Sequence, residues 1–283
     1  MTDNDERFFG LTLDAMNHPG AGVEVVEPFQ GRSAPFFARL WAATEDDLNH
    51  VTHMLRSKLR KVVDVGSGDG RLVQRLAESG HDALGIEISQ DMHERATARR
   101  QRSEQWDRAR MHLFCGDFRE IAATAGSVDV ITSVGLTVPT FDKATRADFF
   151  EFAAAALGAD GLMLLDFLDI DDSTDARFST VIHRLSAEGE LEVVHLDCRH
   201  LPSEKTQTTN LLFEFIAQDG VTQRLASSLT CSMPSREDLE QELAGVGLAI
   251  VDETAVPTGS DGDPGNPAWG LTYLTVKRSA PHE

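Results

Sequence analysis

Between residues 61 and 167 the chain alternates short apolar runs with amphipathic stretches. The runs KVVDV, ALGIEI, MHLFC, VDVITS and GLMLLDF have the length and unbroken apolar character of strands buried on both faces. The stretches between them predict helices. One starts in a glycine-rich turn, carries Leu72 and Leu76 on one face and ends near Gly80. A second begins at SQDMHERA, with Ser89 as N-cap and Asp91 in the first turn, where it complements the helix dipole. A longer one, KATRADFFEFAAAALG, precedes the fifth run. Strand–helix repetition of this kind predicts a doubly wound parallel sheet.

After residue 167 the pattern changes. Residues 171 to 188 predict a helix, and three β-rich runs follow, ELEVVHLDCRH, TTNLLFEFIAQ and VTQRLASSLTCSM. With no helices between them these runs predict an antiparallel meander, and QDG supplies a hairpin turn. SREDLEQELAGVG then reads as a helix, with Ser235 and Asp238 forming a capping box and Gly247 ending it. LAIVDETAV and LTYLTVKR predict two further strands, separated by the Gly/Pro loop PTGSDGDPGNPAWG. Before residue 62 the chain reads as largely helical, and SAPFFARLWAATEDDLNHVTHMLRS is expected to cover a sheet edge. The expected organisation is a helical cap over 1–60, a sheet domain over 61–168 and 233–283, and an inserted piece over 169–232.

Composition narrows the class of partner. The hydrophobic share of 41% and charged share of 25% are ordinary for a globular chain. A formal net charge of −20 repels phosphate backbones and anionic membranes, so no nucleic acid and no membrane is expected as partner. The basic cluster RATARRQR over 95–102 reads as a solvated helix face. No window approaches the ~18 uninterrupted apolar residues of a membrane helix. MTDNDERFFG lacks the basic-then-apolar order of a secretory signal, so the cytoplasm is the expected compartment. Cys115, Cys198 and Cys231 lie far apart, show no metal spacing and read as free thiols. No metal site is expected.

The chemistry concentrates in VVDVGSGDGRL, residues 62–72. Glycines at 66, 68 and 70 follow the first strand and open a helix, the place where α/β sheets bind nucleotides. A dinucleotide loop wants G-x-G-x-x-G, but Arg71 stands where its third glycine would be, and no P-loop lysine follows. What stands there is D-x-G-x-G-x-G. A buried carboxylate at Asp64 suits a ligand with a cationic group better than a pyrophosphate.

This loop resembles the first motif of the class I S-adenosylmethionine-dependent methyltransferases, and further features fall in the family's order. Glu87 ends the second strand, where the resemblance implies an acid holding both ribose hydroxyls, with Ile88 beside it. Asp117 and Phe118 in CGDF follow the third strand and correspond to the residues at the adenine. VDVITSVGL is similar to the fourth-strand motif, whose backbone at Ser133 and Val134 lines the methionine moiety. Asp64, Gly66, Ser67, Gly68 and Gly70 complete the implied cofactor set. LGADGLMLLDF departs from the family's L-x-P-G-G by having Ala159 and Asp160 in place of Pro-Gly. The resemblance covers roughly 35–277 and implies a Rossmann-like doubly wound seven-stranded sheet. It further implies an N-terminal helical cover and an antiparallel β insertion roofing the active site, as in small-molecule N-methyltransferases.

The family's other signatures are missing: no N/D-P-P-Y/F and no Pro-Cys follow the fourth strand, and there is no C-x-x-x-C-x-x-C. The implied reaction is in-line methyl transfer from S-adenosylmethionine, giving S-adenosylhomocysteine. Positioning supplies most of the catalysis, and a base is needed only where the acceptor must shed a proton. Strand alternation places His195 on one face of its run and His200, with Val194, Leu196 and Cys198, on the other; either histidine is a candidate base. Phe36, Phe37, Trp41 and Arg39 in FFARLW, Thr137 and Phe141 past the fourth strand, and Trp269 are candidate acceptor contacts. For Phe36, Phe37 and Trp41, helix packing stays open as the alternative.

The acceptor is expected to be a small molecule or a peptide amine, with nitrogen ahead of oxygen, in natural-product biosynthesis. A nicotinamide dehydrogenase and a non-catalytic cofactor-binding module are the competing classes. Monomer and homodimer both stay open.

Overall fold

The computed structural model describes residues 7–42, 45–122, 126–169, 176–185, 190–258 and 269–279. From the N-terminus, α1 (Gly10–Asn17) and β1 (Val23–Val25) precede two helices, α2 (Ala34–Ala42) and α3 (Asp46–Leu55). Then come β2 (Lys61–Val65), α4 (Arg71–Glu78), β3 (Asp82–Glu87), α5 (Gln90–Arg102), α6 (Gln105–Arg110) and β4 (Met111–Cys115). They are followed by β5 (Val128–Ser133), α7 (Thr137–Thr140), α8 (Lys143–Ala156) and β6 (Leu157–Asp169). Four strands come next, β7 (Ala176–Leu185), β8 (Leu191–Leu201), β9 (Thr206–Ala217) and β10 (Gly220–Ser232). The last elements are α9 (Arg236–Gly245), β11 (Leu248–Thr258) and β12 (Trp269–Arg278). Contacts divide the chain into two compact units, Met1–Pro35 with Asp171–Ser232, and Phe36–Ile170 with Met233–Glu283.

The larger unit is the doubly wound α/β sheet that the apolar runs predict. Its seven strands lie in the order β11-β12-β6-β5-β2-β3-β4. The five from β6 to β4 are parallel, and β12 runs antiparallel between β6 and β11. Chain order reverses between β2 and β5, so their carboxyl ends open the crevice where sheets of this kind bind ligands. The helices follow from their caps. Ser89 Oγ accepts from the Met92 N–H at 3.2 Å to start α5, and Asp142 starts α8 in the same way through Thr145. Ser235 and Asp238 form the expected capping box on α9. Helix α4 buries Leu72, Val73, Leu76 and Ala77. Phe149, Phe150, Phe167, Leu239 and Leu274 belong to the main core, each almost fully buried.

The smaller unit is a five-stranded sheet in the order β1-β10-β9-β8-β7. Strands β7 to β10 form the antiparallel meander, with Gln218 and Asp219 as a two-residue hairpin loop and Gly220 at φ +125°. Two features differ from expectation. Where the sequence predicts a helix over 171–188, the described part is β7, paired with β8 from Ala176 opposite His200 to Leu185 opposite Leu191. ARFSTVIHRL is rich in β-branched residues, and a neighbouring strand edge outweighs its weak helical spacing. The chain before residue 62 is also not all helix, since β1 joins the sheet parallel to β10.

Candidate functional site

The glycine loop leaves β2 at Val65 and crosses to α4 at the carboxyl edge of the large sheet. Gly66, Gly68 and Gly70 all have left-handed backbones, with φ of +75°, +55° and +77°. Amides of Gly66 and Ser67 both donate to the Ile86 carbonyl, at 2.9 and 3.0 Å. A Cβ on Gly66 would lie 2.3 Å from Thr137 Cγ2, and one on Gly70 would lie 2.9 Å from Ala96 Cβ. At Gly68 the nearest neighbour of such an atom is Met92 Cε at 3.5 Å. The three glycines therefore differ. Two make room for protein, and only Gly68 is glycine for its backbone rather than its packing.

Glu87 ends β3 beneath this loop. Its Oε2 accepts from the Gly68 amide at 2.8 Å and its Oε1 from the Ser89 amide at 2.7 Å. Burial pushes its carboxyl up, against the pull of those amides. Each oxygen keeps a second lone pair for a further donor. Next to it, Ile88 is 72% exposed, an apolar shelf beside a bidentate acceptor. Asp117 receives the Arg119 amide at 2.9 Å and the Arg119 guanidinium at 3.0 and 2.6 Å. That guanidinium holds its carboxyl below the usual range. Ser133 Oγ donates to the Val65 carbonyl at 3.1 Å, and Ser133 and Val134 are both buried.

A cluster of carboxylates surrounds the end of β2. Asp64 accepts from Thr132 Oγ1 at 2.7 Å, and burial pushes its carboxyl up to about 7. Asp166, fully buried on β6, accepts the amides of Gly135 and Leu136 at 2.6 and 2.9 Å, and burial pushes it to about 7 as well. Sheet register sets Asp64 opposite Thr132, and Thr132 opposite Leu164, two residues before Asp166; all three polar side chains share one face. Asp47 on α3 pairs with Arg71, and the charges of both are felt at Asp64 and Asp166. Three carboxylates against one guanidinium make a pocket that favours a cation.

Sequence reasoning missed Asp47, Asp166 and the role of Arg71. An acid inside the apolar run GLMLLDF was the available signal. The basic cluster over 95–102 is also not wholly solvated. Arg99 pairs with Asp69 and donates to the Asp69 carbonyl at 2.9 Å, and Arg100 donates to the Met111 carbonyl at 2.6 Å. Both use their guanidinium forks to tie α5 to its neighbours.

The remaining candidates divide. Phe36 and Phe37 are buried, ring edge to face at 5.5 Å, and Arg39 is half-buried. The backbones of Trp41 and Trp269 lie in α2 and β12, but their side chains are outside the described residues. Thr137 fills the space beside Gly66 and donates to the Val134 carbonyl at 3.2 Å. Phe118 and Phe141 belong to an aromatic cluster with Phe149. His195 and His200 lie on β8, in the smaller unit. His200 is buried, and His195 Nε2 lies 3.3 Å from Glu214 Oε2.

Residues 62–161 match the methyltransferase domain family. The chain carries a class I S-adenosylmethionine-dependent methyltransferase domain, with the sheet order and glycine loop of that fold. Among solved structures it is similar to the sugar N-methyltransferase KedS8 from Streptoalloteichus sp ATCC 53650, at 18% identity, covering 88% of this chain and 94% of that one with a TM-score of 0.65. The glycopeptide N-methyltransferase MtfA complexed with S-adenosylmethionine aligns at 15% identity over 90% of this chain and 93% of that one, with a TM-score of 0.58. At these identities the likeness establishes the fold. A curated relative, an ATP synthase lysine N-methyltransferase of Xenopus laevis, is 47% identical over 47 residues, 17% of this chain and 21% of that protein. The chain therefore aligns with only about a fifth of that relative's length. No helix among the described residues is long and apolar enough to cross a membrane.

Proposed function

We propose that the protein transfers a methyl group from S-adenosylmethionine to a nitrogen of a small molecule or peptide amine, as a step in natural-product biosynthesis. The observation that carries this reading is the joining of Glu87, a bidentate acceptor tied to the Gly68 amide, to a buried acidic cluster at the end of β2. The two suit opposite ends of one ligand. Glu87 suits a pair of ribose hydroxyls, Ile88 an apolar ring, and Asp117 an exocyclic amine reached in competition with Arg119. Asp64 and the backbone at Ser133 and Val134 suit an ammonium-bearing tail. A phosphate is poorly served by three carboxylates, which disfavours a nicotinamide cofactor. When bound, S-adenosylmethionine supplies an electrophilic methyl on a sulfonium.

The activities of similar proteins support nitrogen: sugar and glycopeptide N-methylation and lysine N-methylation. Small-molecule O-methylation is the runner-up. The chain's own part is to hold the cofactor and bring a lone pair into line with the methyl, with His195 and His200 as the candidates for taking a proton from the acceptor. Calorimetry with S-adenosylmethionine, S-adenosylhomocysteine and NAD tests the cofactor. Mass spectrometry of an amine and alcohol panel incubated with the protein tests the acceptor. Binding of the first two ligands with methylated amine products is expected; binding of NAD alone overturns the reading.

A further inference from the structure

The smaller unit contains a cleft of about 340 Å³, at the lower end of the range for small-ligand pockets. Its wall is built by a carboxylate. Asp197, 7% exposed, accepts the Leu11 amide at 2.9 Å and the Ser179 hydroxyl at 2.5 Å. Gly10 has φ +63°, and a Cβ there would lie 2.7 Å from that carboxylate, so the start of α1 is moulded to it. Leu11 and Val181 line the cleft, and both are about half exposed. Asp14 and His195 complete the polar side.

His195 is held in one tautomer. Its Nε2 faces Glu214 Oε2 at 3.3 Å, and Glu214 Oε1 receives Arg224 Nε at 2.8 Å. Burial favours the neutral form of Glu214, but the bonds from Arg224 and His195 outweigh it and hold the carboxyl below its usual range. A carboxylate can only accept, so the proton of the neutral ring sits on Nε2 and the lone pair on Nδ1. Nδ1 is shielded from solvent and has no hydrogen-bond partner among the described residues. A shielded acceptor of this kind lacks the donor that buried polar atoms usually have.

We propose that this cleft binds a primary ammonium ion carried on a compact apolar body. The ammonium donates to His195 Nδ1 and is balanced by Asp14 and Asp197, while the apolar body lies along Leu11 and Val181. Asp14, Asp197 and Glu214 outnumber the single guanidinium of Arg224, so anions are turned away. Binding at this cleft, within the smaller unit, does not depend on methyl transfer.

Its test is an NMR titration of the full chain with three probes of one shape: 2-phenylethylamine, 2-phenylethanol and phenylacetate. The amine is expected to shift the Leu11 and Val181 methyls and the His195 ring saturably, the alcohol to bind roughly tenfold more weakly, and phenylacetate not to bind. Asp14→Asn and His195→Gln are each expected to weaken the amine several-fold, and the exposed Asp14 carries the test if the histidine variant does not fold. Equal response to amine and alcohol, no response to the amine, or unchanged affinity in Asp14→Asn overturns the proposal. The amide of Ile88, followed with S-adenosylmethionine in the same samples, reports separately on the cofactor site.

Discussion

The side chain of Thr137 stands where any side chain on residue 66 would have to go, its Cγ2 2.3 Å from that position. Two loops at the carboxyl edge, one after β2 and one after β5, are thus keyed to each other. Gly66→Ala combines this clash with a left-handed backbone at φ +75° and is expected to cost about 2–4 kcal/mol. Adding Thr137→Ala removes the clash alone, so the double variant should regain part of that loss in chemical denaturation. No recovery would mean that backbone strain carries the whole effect.

Glu87→Ala and Asp117→Ala are each expected to weaken S-adenosylmethionine by about 1–3 kcal/mol, because each orphans a donor on the ligand. Calorimetry checks this, alongside a melt to confirm folding. The Asp117 effect should be the smaller, since its carboxylate must first release Arg119, bonded at 2.6 Å. Unchanged affinity in both variants would place the cofactor elsewhere.

Asp64 and Asp166 are both harder to ionise in the folded chain, at about 7 against an ordinary value of 3.8. The native state therefore holds protons that the unfolded state releases, and stability is full below the ordinary value and lost as pH rises through about 7. Asp64→Asn removes one such group. Its melting temperature relative to the native chain should rise between pH 5 and pH 8, and a constant difference would sink the assignment. A cationic ligand needs the ionised form, so S-adenosylmethionine affinity should climb from pH 6 to pH 8 by up to about tenfold.

Arg99 braces the turn between Gly68 and Gly70 through the Asp69 carbonyl at 2.9 Å. Its ion pair is partly exposed, so Arg99→Gln should cost ~1 kcal/mol of stability or less. Cofactor affinity should fall several-fold all the same, because the loop loses its tie to α5. Equal affinity in the two proteins would leave Arg99 as a surface contact only.

Local chemistry announced the large sheet well. Its strands needed no partner to be recognised, because five apolar runs bounded by glycines and caps have one economical arrangement. The caps at Ser89 and Ser235 rest on contacts three residues apart, which sequence spacing alone describes. Strand β7 is the counter-example: its pairing with β8 decides its conformation, and that edge is not written in ARFSTVIHRL.

By itself the sequence determined the parallel sheet, the position of the glycine loop at its carboxyl edge, and the acid at Glu87 that points to the cofactor. Periodicity and turn chemistry are local, so they survive without coordinates. Only the tertiary structure decided that Thr137 and Ala96 consume two of the three glycines. It also gathered Asp47, Asp64, Asp166 and Arg71 into one pocket and left His195 with a single free lone pair. Those facts depend on side chains that meet from elements distant in the chain, where burial and partners, not residue type, set the charge and the chemistry.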